Sequence, residues 1–137
     1  MKLDPTAFVA DPELIEALEK RSAAISCGED QVLFSQGEIP AGLYILKQGE
    51  TTLTMTSPTG EKLVSVQVPA GSLLGLPGLI GNEPYTLTAT ARHGARLSFI
   101  SRDEVTSLMR TAPSLALKML QVLAAEVRSA RNALFNR

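Results

Sequence analysis

The chain is poor in the residues that most metal, redox and nucleic-acid chemistry needs. Its 137 residues include one cysteine (Cys27), one histidine (His93) and no tryptophan. A single thiol forms no intrachain disulfide, and one imidazole with one thiol falls short of the three or four soft ligands of a zinc site. A metal-bearing cupin barrel is disfavoured on the same ground, and no metal ligands are assigned. Aromatic residues make up 4% of the chain, too few for a platform on which bases stack. Thirteen Lys and Arg stand against 14 Asp and Glu. There is no basic block to neutralise phosphates, so nucleic-acid binding by this chain alone is not expected. No run reaches the ~20 apolar residues of a membrane span. Met1 to Val9 lacks the apolar core of a secretory signal. No membrane partner is expected, and the cytoplasm is the expected compartment.

What the chain does have is apolar residues, 45% against 20% charged. That balance suits a folded domain, and the length suits a single one over 1–137. Asp11-Pro12-Glu13 reads as a helix start, with an Asp cap, Pro in the first turn and an acidic residue after it. Leu14, Ile15 and Leu18 give that helix one apolar face, and an N-terminal helical segment is expected over 11–27. From 31 to 100, short apolar runs alternate with Gly, Pro, Ser and Asn. Thr52 to Thr56 alternates Thr with Leu53 and Met55. Pro58-Thr59-Gly60 turns the chain, and Val64, Val66 and Val68 return on one face. Thr86 to Ala91 and Leu97 to Ile100 add further strands. Many short, regularly spaced strands favour an antiparallel barrel, roll or sandwich.

Helices are expected over 101–136. Ser101 with Glu104 is a capping-box pattern, and Pro113 ends one helix and opens the next. Ala116, Leu120, Leu123, Val127, Ala130 and Leu134 then follow 4-3-4-3-4 spacing. A narrow seam of that kind suits pairing with another helix, in a twin chain or a different protein. Packing on the chain's own strands is the alternative.

Val32-Leu33-Phe34-Ser35-Gln36-Gly37-Glu38, followed by Leu43-Tyr44-Ile45-Leu46-Lys47-Gln48-Gly49-Glu50, resembles the opening of the cyclic-nucleotide-binding domain family. Such domains occur in the cyclic AMP receptor protein, protein kinase regulatory subunits and gated channels. The resemblance covers about Glu13 to Leu134 in matching order. It implies a mainly β fold, an antiparallel β-roll of about eight strands between an N-terminal helix and a long C-terminal helix. The family's phosphate-binding cassette resembles the stretch from Gly71 to Leu87. Gly75 matches the cassette glycine. Leu76 stands where the family has the Glu that bonds the ribose hydroxyl, and Tyr85 where it has the Arg that pairs with the cyclic phosphate.

Those two replacements decide the functional expectation. Burying a phosphate without its Arg costs ~3–5 kcal/mol, and the lost ribose bond adds ~1–3 kcal/mol. A micromolar site treated this way falls to millimolar or weaker. A helical turn opening at Leu76 could offer backbone N–H groups, one fewer because of Pro77. Tyr85 and Thr86 offer uncharged hydroxyls. Arg92, Arg96 and Glu83 are further polar groups near the cassette, more naturally read as solvated. If a ligand exists, Gly75, Leu76, Gly78, Tyr85 and Thr86 are the expected contacts, and it is less charged or more apolar than a nucleotide.

Some relatives hold haem or iron–sulfur clusters, but His93 beside Gly94 reads as a loop residue and the lone Cys27 as structural. No cofactor is assigned beyond a cyclic nucleotide or other small ligand. Nothing resembles a nucleophile–base pair, so no enzyme is expected. The family's transcription factors continue into a helix-turn-helix, and the sequence stops at Arg137. Three readings stay open. The first is a regulatory or sensor domain with weak or no affinity for common cyclic nucleotides, dimeric through Leu120, Leu123, Val127 and Leu134. The second is a ligand-free scaffold that recruits a partner protein, and the third a genuine cyclic AMP or cyclic GMP receptor.

Overall fold

A computed structural model describes residues 1–135. Eight strands form two four-stranded sheets, flanked by four α-helices. The strands are β1 (Ala23–Ser26), β2 (Gln31–Phe34), β3 (Gly42–Gln48), β4 (Thr51–Thr56), β5 (Lys62–Val68), β6 (Leu73–Leu74), β7 (Thr88–Ala91) and β8 (Arg96–Ser101). One sheet runs in the order β1-β8-β3-β6 and the other β2-β7-β4-β5, with antiparallel pairing throughout. This is the expected antiparallel β-roll.

The alternation seen in the sequence sets the register. Leu53 faces Val66 and Met55 faces Val64 across the β4–β5 hairpin, closed by the Pro58-Thr59-Gly60 turn. Period-two alternation also divides the interior between two cores. Leu46 of β3 points into the roll with Phe34, Leu53, Val68, Leu74, Ala89 and Leu97. Leu43 and Ile45 of the same strand point outward, under the helices, with Leu73 and Ile100.

Helix α1 (Pro12–Glu19) starts as expected, its Asp11 carboxylate accepting from the Glu13 N–H at 2.8 Å. It ends earlier than the sequence suggests. Residues 23–26, expected within a helical segment over 11–27, form β1 and pair with β8 from Ala23 opposite Phe99 to Ser26 opposite Arg96. The Ser22 hydroxyl donates to the Glu19 carbonyl at 2.7 Å and closes the helix. The pairing partner then decides the conformation of Ala23-Ala24-Ile25-Ser26, whose weak local preference is overridden. A 3-10 turn over Pro5–Phe8 precedes α1.

Helix α3 (Arg102–Thr111) begins at the expected cap, with the Ser101 hydroxyl accepting from the Glu104 N–H at 3.3 Å. Helix α4 (Pro113–Phe135) is the long terminal helix; the expected helical end at 136 lies outside the described residues. Leu115, Met119, Val122, Ser129 and Ala133 pack inward. The expected seam lies mainly on the opposite side: Leu120 is 51% exposed, Val127 54% and Leu134 54%. Ala116, Leu123 and Ala130 are half-buried, Leu123 resting on the core. The helix therefore carries two apolar stripes, one for its own fold and one left open.

Candidate functional site

Helix α2 (Leu76–Gly81) follows directly on β6. The turn between them depends on Gly75, whose φ of +91° lies in the left-handed region. A Cβ there would also meet the Tyr85 ring at 2.8 Å. Glycine thus serves both the turn and the close approach of an aromatic ring.

Tyr85 is fastened at backbone and side chain. Its carbonyl accepts from the Gly37 N–H at 2.8 Å, and its N–H donates to the Glu38 carbonyl at 2.9 Å. The ring stacks on Phe34 with centroids 3.9 Å apart and planes 22° from parallel. The phenol donates to the Gly42 carbonyl at 3.0 Å. Burial is the main influence pushing the phenol's pKa up, so the side chain is a neutral donor. Tyr44 extends the aromatic row, its ring 5.9 Å from Phe34 and 5.0 Å from Phe99.

The space left beside this row is small. Gly75, Gly78, Tyr85 and Thr86 come together around a cavity of about 30 Å³, with Phe8, Phe34, Pro77, Leu87 and Glu126 among the other walls. Leu76 does not join them: it is fully buried in the outer core with Leu14, Leu43 and Leu79. Ligand pockets usually measure ~300–1,000 Å³, and a cavity of this size holds about one water molecule.

Among the described residues no Lys or Arg lines this cavity; its ionisable groups are Tyr85 and Glu126, both acids. Glu126 projects from α4. Its Oε2 is shut off from solvent and has no hydrogen-bond partner, and burial pushes the carboxyl up to about 8. A second void of about 220 Å³ runs from Glu126 along Phe8, Leu87, Leu123 and Val127 to Ala130, between α4 and the roll. Glu126 is not among the residues that the cassette resemblance singles out. Its signal is a seven-residue spacing with Met119 and Ala133, which places a carboxylate on the buried face of α4.

The other candidates stay outside. Arg92 pairs with Asp30 at 3.5 Å in solvent, Arg96 is exposed on β8, and Glu83 is exposed after α2. The His93 backbone N–H donates to Asp30 Oδ1 at 2.7 Å, and Cys27 is buried with its thiol's pKa pushed up. Arg102, also not singled out by the resemblance, joins three segments: its guanidinium donates to the Leu79 carbonyl at 3.2 Å and the Pro40 carbonyl at 2.8 Å. No helix of the described residues is long and apolar enough to cross a membrane.

Comparison with known proteins places this geometry. The chain is 27% identical over 125 residues to the CRP-like cAMP-activated global transcriptional regulator of Mycobacterium tuberculosis, covering 90% of this chain. It spans only 55% of that relative's length. Among solved structures, the Catabolite Activator Protein of Thermus thermophilus matches with a TM-score of 0.79 at 22% identity, over 96% of this chain and 62% of that one. A cyclic nucleotide-binding domain from Methylobacillus flagellatus matches with a TM-score of 0.74 at 20% identity, over 93% and 71%. The family described as "Cyclic nucleotide-binding domain" matches residues 24–112, most of the roll together with α3. This chain belongs to the cyclic nucleotide-binding domain family, with a fold of the CRP type.

Proposed function

We propose that the chain is a non-catalytic regulatory domain whose roll binds common cyclic nucleotides weakly or not at all, and that it acts as a dimer through α4. The regulatory role follows the curated relatives, which are named as cAMP-activated transcriptional regulators. The ligand does not follow them. The observation that carries the reading is a cavity of about 30 Å³ at the cassette, far smaller than a ligand pocket, whose only ionisable walls among the described residues are Tyr85 and Glu126. A cyclic phosphate would have to displace the Tyr85–Phe34 stack and then lie beside Glu126, with no Lys or Arg of the described residues lining the cavity to offset its charge.

The dimer is supported by Leu120, Val127 and Leu134, which form an exposed apolar stripe at coiled-coil spacing. The closed cavity also favours a second reading, a ligand-free scaffold whose open α4 face receives a partner protein. Calorimetric titration with cyclic AMP and cyclic GMP tests the first claim. No saturation below about 1 mM is expected, and a dissociation constant of about 10 μM or tighter overturns it. Light scattering at about 100 μM chain tests the second, where a strict monomer overturns the dimer.

A further inference from the structure

We infer that Glu126 is completed across the dimer: Arg131 of the partner subunit reaches the carboxyl that this chain leaves without a partner. The inference rests on the α4 dimer proposed above and adds its register and orientation.

With Leu120, Val127 and Leu134 at heptad position a, and Leu123 and Ala130 at d, the flanking positions follow from counting. Met119, Glu126 and Ala133 fall at g; Leu117, Ala124 and Arg131 fall at e. All the flanking positions are apolar except two, and those two carry opposite charges. In a parallel two-stranded coil, a g residue faces the e residue five places further along the partner helix. Glu126 therefore faces the partner's Arg131, and two-fold symmetry makes the pair twice. Antiparallel pairing would set g against g and offer Glu126 only Met119, Ala133 or a second Glu126, none of them cationic.

Among the described residues of one chain the carboxyl has no hydrogen-bond partner. The residues three and four places away on α4 are Val122, Leu123, Ser129 and Ala130, none of them cationic. Arg131 is exposed and makes no ion pair or side-chain hydrogen bond among the described residues. The void beside Glu126 is lined on α4 by the seam residues Leu123, Val127 and Ala130 as well, so the carboxyl borders the face where a partner helix would lie. The apolar stem of Arg suits the Leu123 and Val127 walls it would pass. Among the described residues, the other titratable groups lining the voids at Glu126 are the Tyr85 phenol and the Met1 amino group, the latter donating to the Leu63 carbonyl at 3.2 Å; no Lys, Arg, His or Asp of these residues lines either void.

A double-mutant cycle on the dimer dissociation constant, measured by sedimentation, tests the pair. Arg131→Glu changes an exposed residue and should weaken the dimer by about 30-fold or more, since two pairs turn repulsive. In a Glu126→Gln background the same change should act by less than about 3-fold. Because pairing favours the ionised carboxyl, the wild-type dimer should tighten from about pH 6 to about pH 9, and Glu126→Gln should flatten that response. Equal effects of Arg131→Glu in both backgrounds, or a wild-type response to pH that survives Glu126→Gln, overturn the pair and leave the dimer standing. A strict monomer overturns both.

Discussion

Replacing Tyr85 puts the closed roll to its most direct test. The ring is buried, 3.9 Å from Phe34, and its hydroxyl holds the Gly42 carbonyl at 3.0 Å. Truncating a buried aromatic to alanine costs ~3–5 kcal/mol, of which a stacked pair supplies ~0.5–1.5 kcal/mol. Removing the hydroxyl alone forfeits one buried hydrogen bond, ~0.5–1.5 kcal/mol, and leaves the stack in place. Tyr85→Ala should therefore lower unfolding free energy by about 3–5 kcal/mol and Tyr85→Phe by about 1 kcal/mol. Urea unfolding followed by far-ultraviolet circular dichroism, at one protein concentration and pH, measures both. The enlarged cavity of Tyr85→Ala still has no cation, so cyclic AMP should not protect this variant. A cost below about 1 kcal/mol for the alanine variant would show that the ring is not a structural plug, and the argument for a sealed roll would fail.

Further outcomes follow from the same geometry. The pair Leu76→Glu with Tyr85→Arg should not create cyclic AMP binding below about 1 mM, because position 76 lies in the outer core rather than on the cavity wall; calorimetry checks this, and micromolar binding would contradict it. Gly75→Ala should cost at least ~1–2 kcal/mol in urea unfolding, since its φ of +91° strains any L side chain and the new methyl meets the Tyr85 ring. Glu126 holds a proton in the folded chain up to about 8, against an ordinary value of 4.5, so the folded state binds more protons in that interval. Its penalty is absent below 4.5 and grows as pH rises to about 8, reaching at most roughly 4–5 kcal/mol. Urea unfolding at sub-micromolar protein should show stability falling over that range, and a Glu126→Gln variant that falls equally would refute the assignment.

The roll was legible in the sequence because β4 and β5 alternate large apolar side chains with polar ones and turn residues separate the other short apolar runs. Val64, Val66 and Val68 on β5 announce a face before any partner is known. Strand β1 did not, because Ala23, Ala24 and Ser26 are exposed and only Ile25 is half-buried; its conformation comes from β8, about seventy residues later. Strand β6, two residues long, was equally silent. At the site, the residue identities could be read and their directions could not. Leu76 and Tyr85 were both placed by the cassette resemblance, yet one turns into the outer core and the other into the roll. On α4, the seam was visible as spacing, while the second apolar stripe that packs inward concealed the carboxylate interrupting it.

The grip of Arg102 on the carbonyls of Leu79 and Pro40 has a mechanical consequence. The end of α2, the approach to β3 and the first residue of α3 share one guanidinium, and α3 passes through Ala112 directly into α4. A push arriving at the outside of α2, from a docked protein for example, would be carried along this linkage to the terminal helix. The three segments are thus fastened at one point outside the closed cavity, and Arg102→Ala would release all of them together.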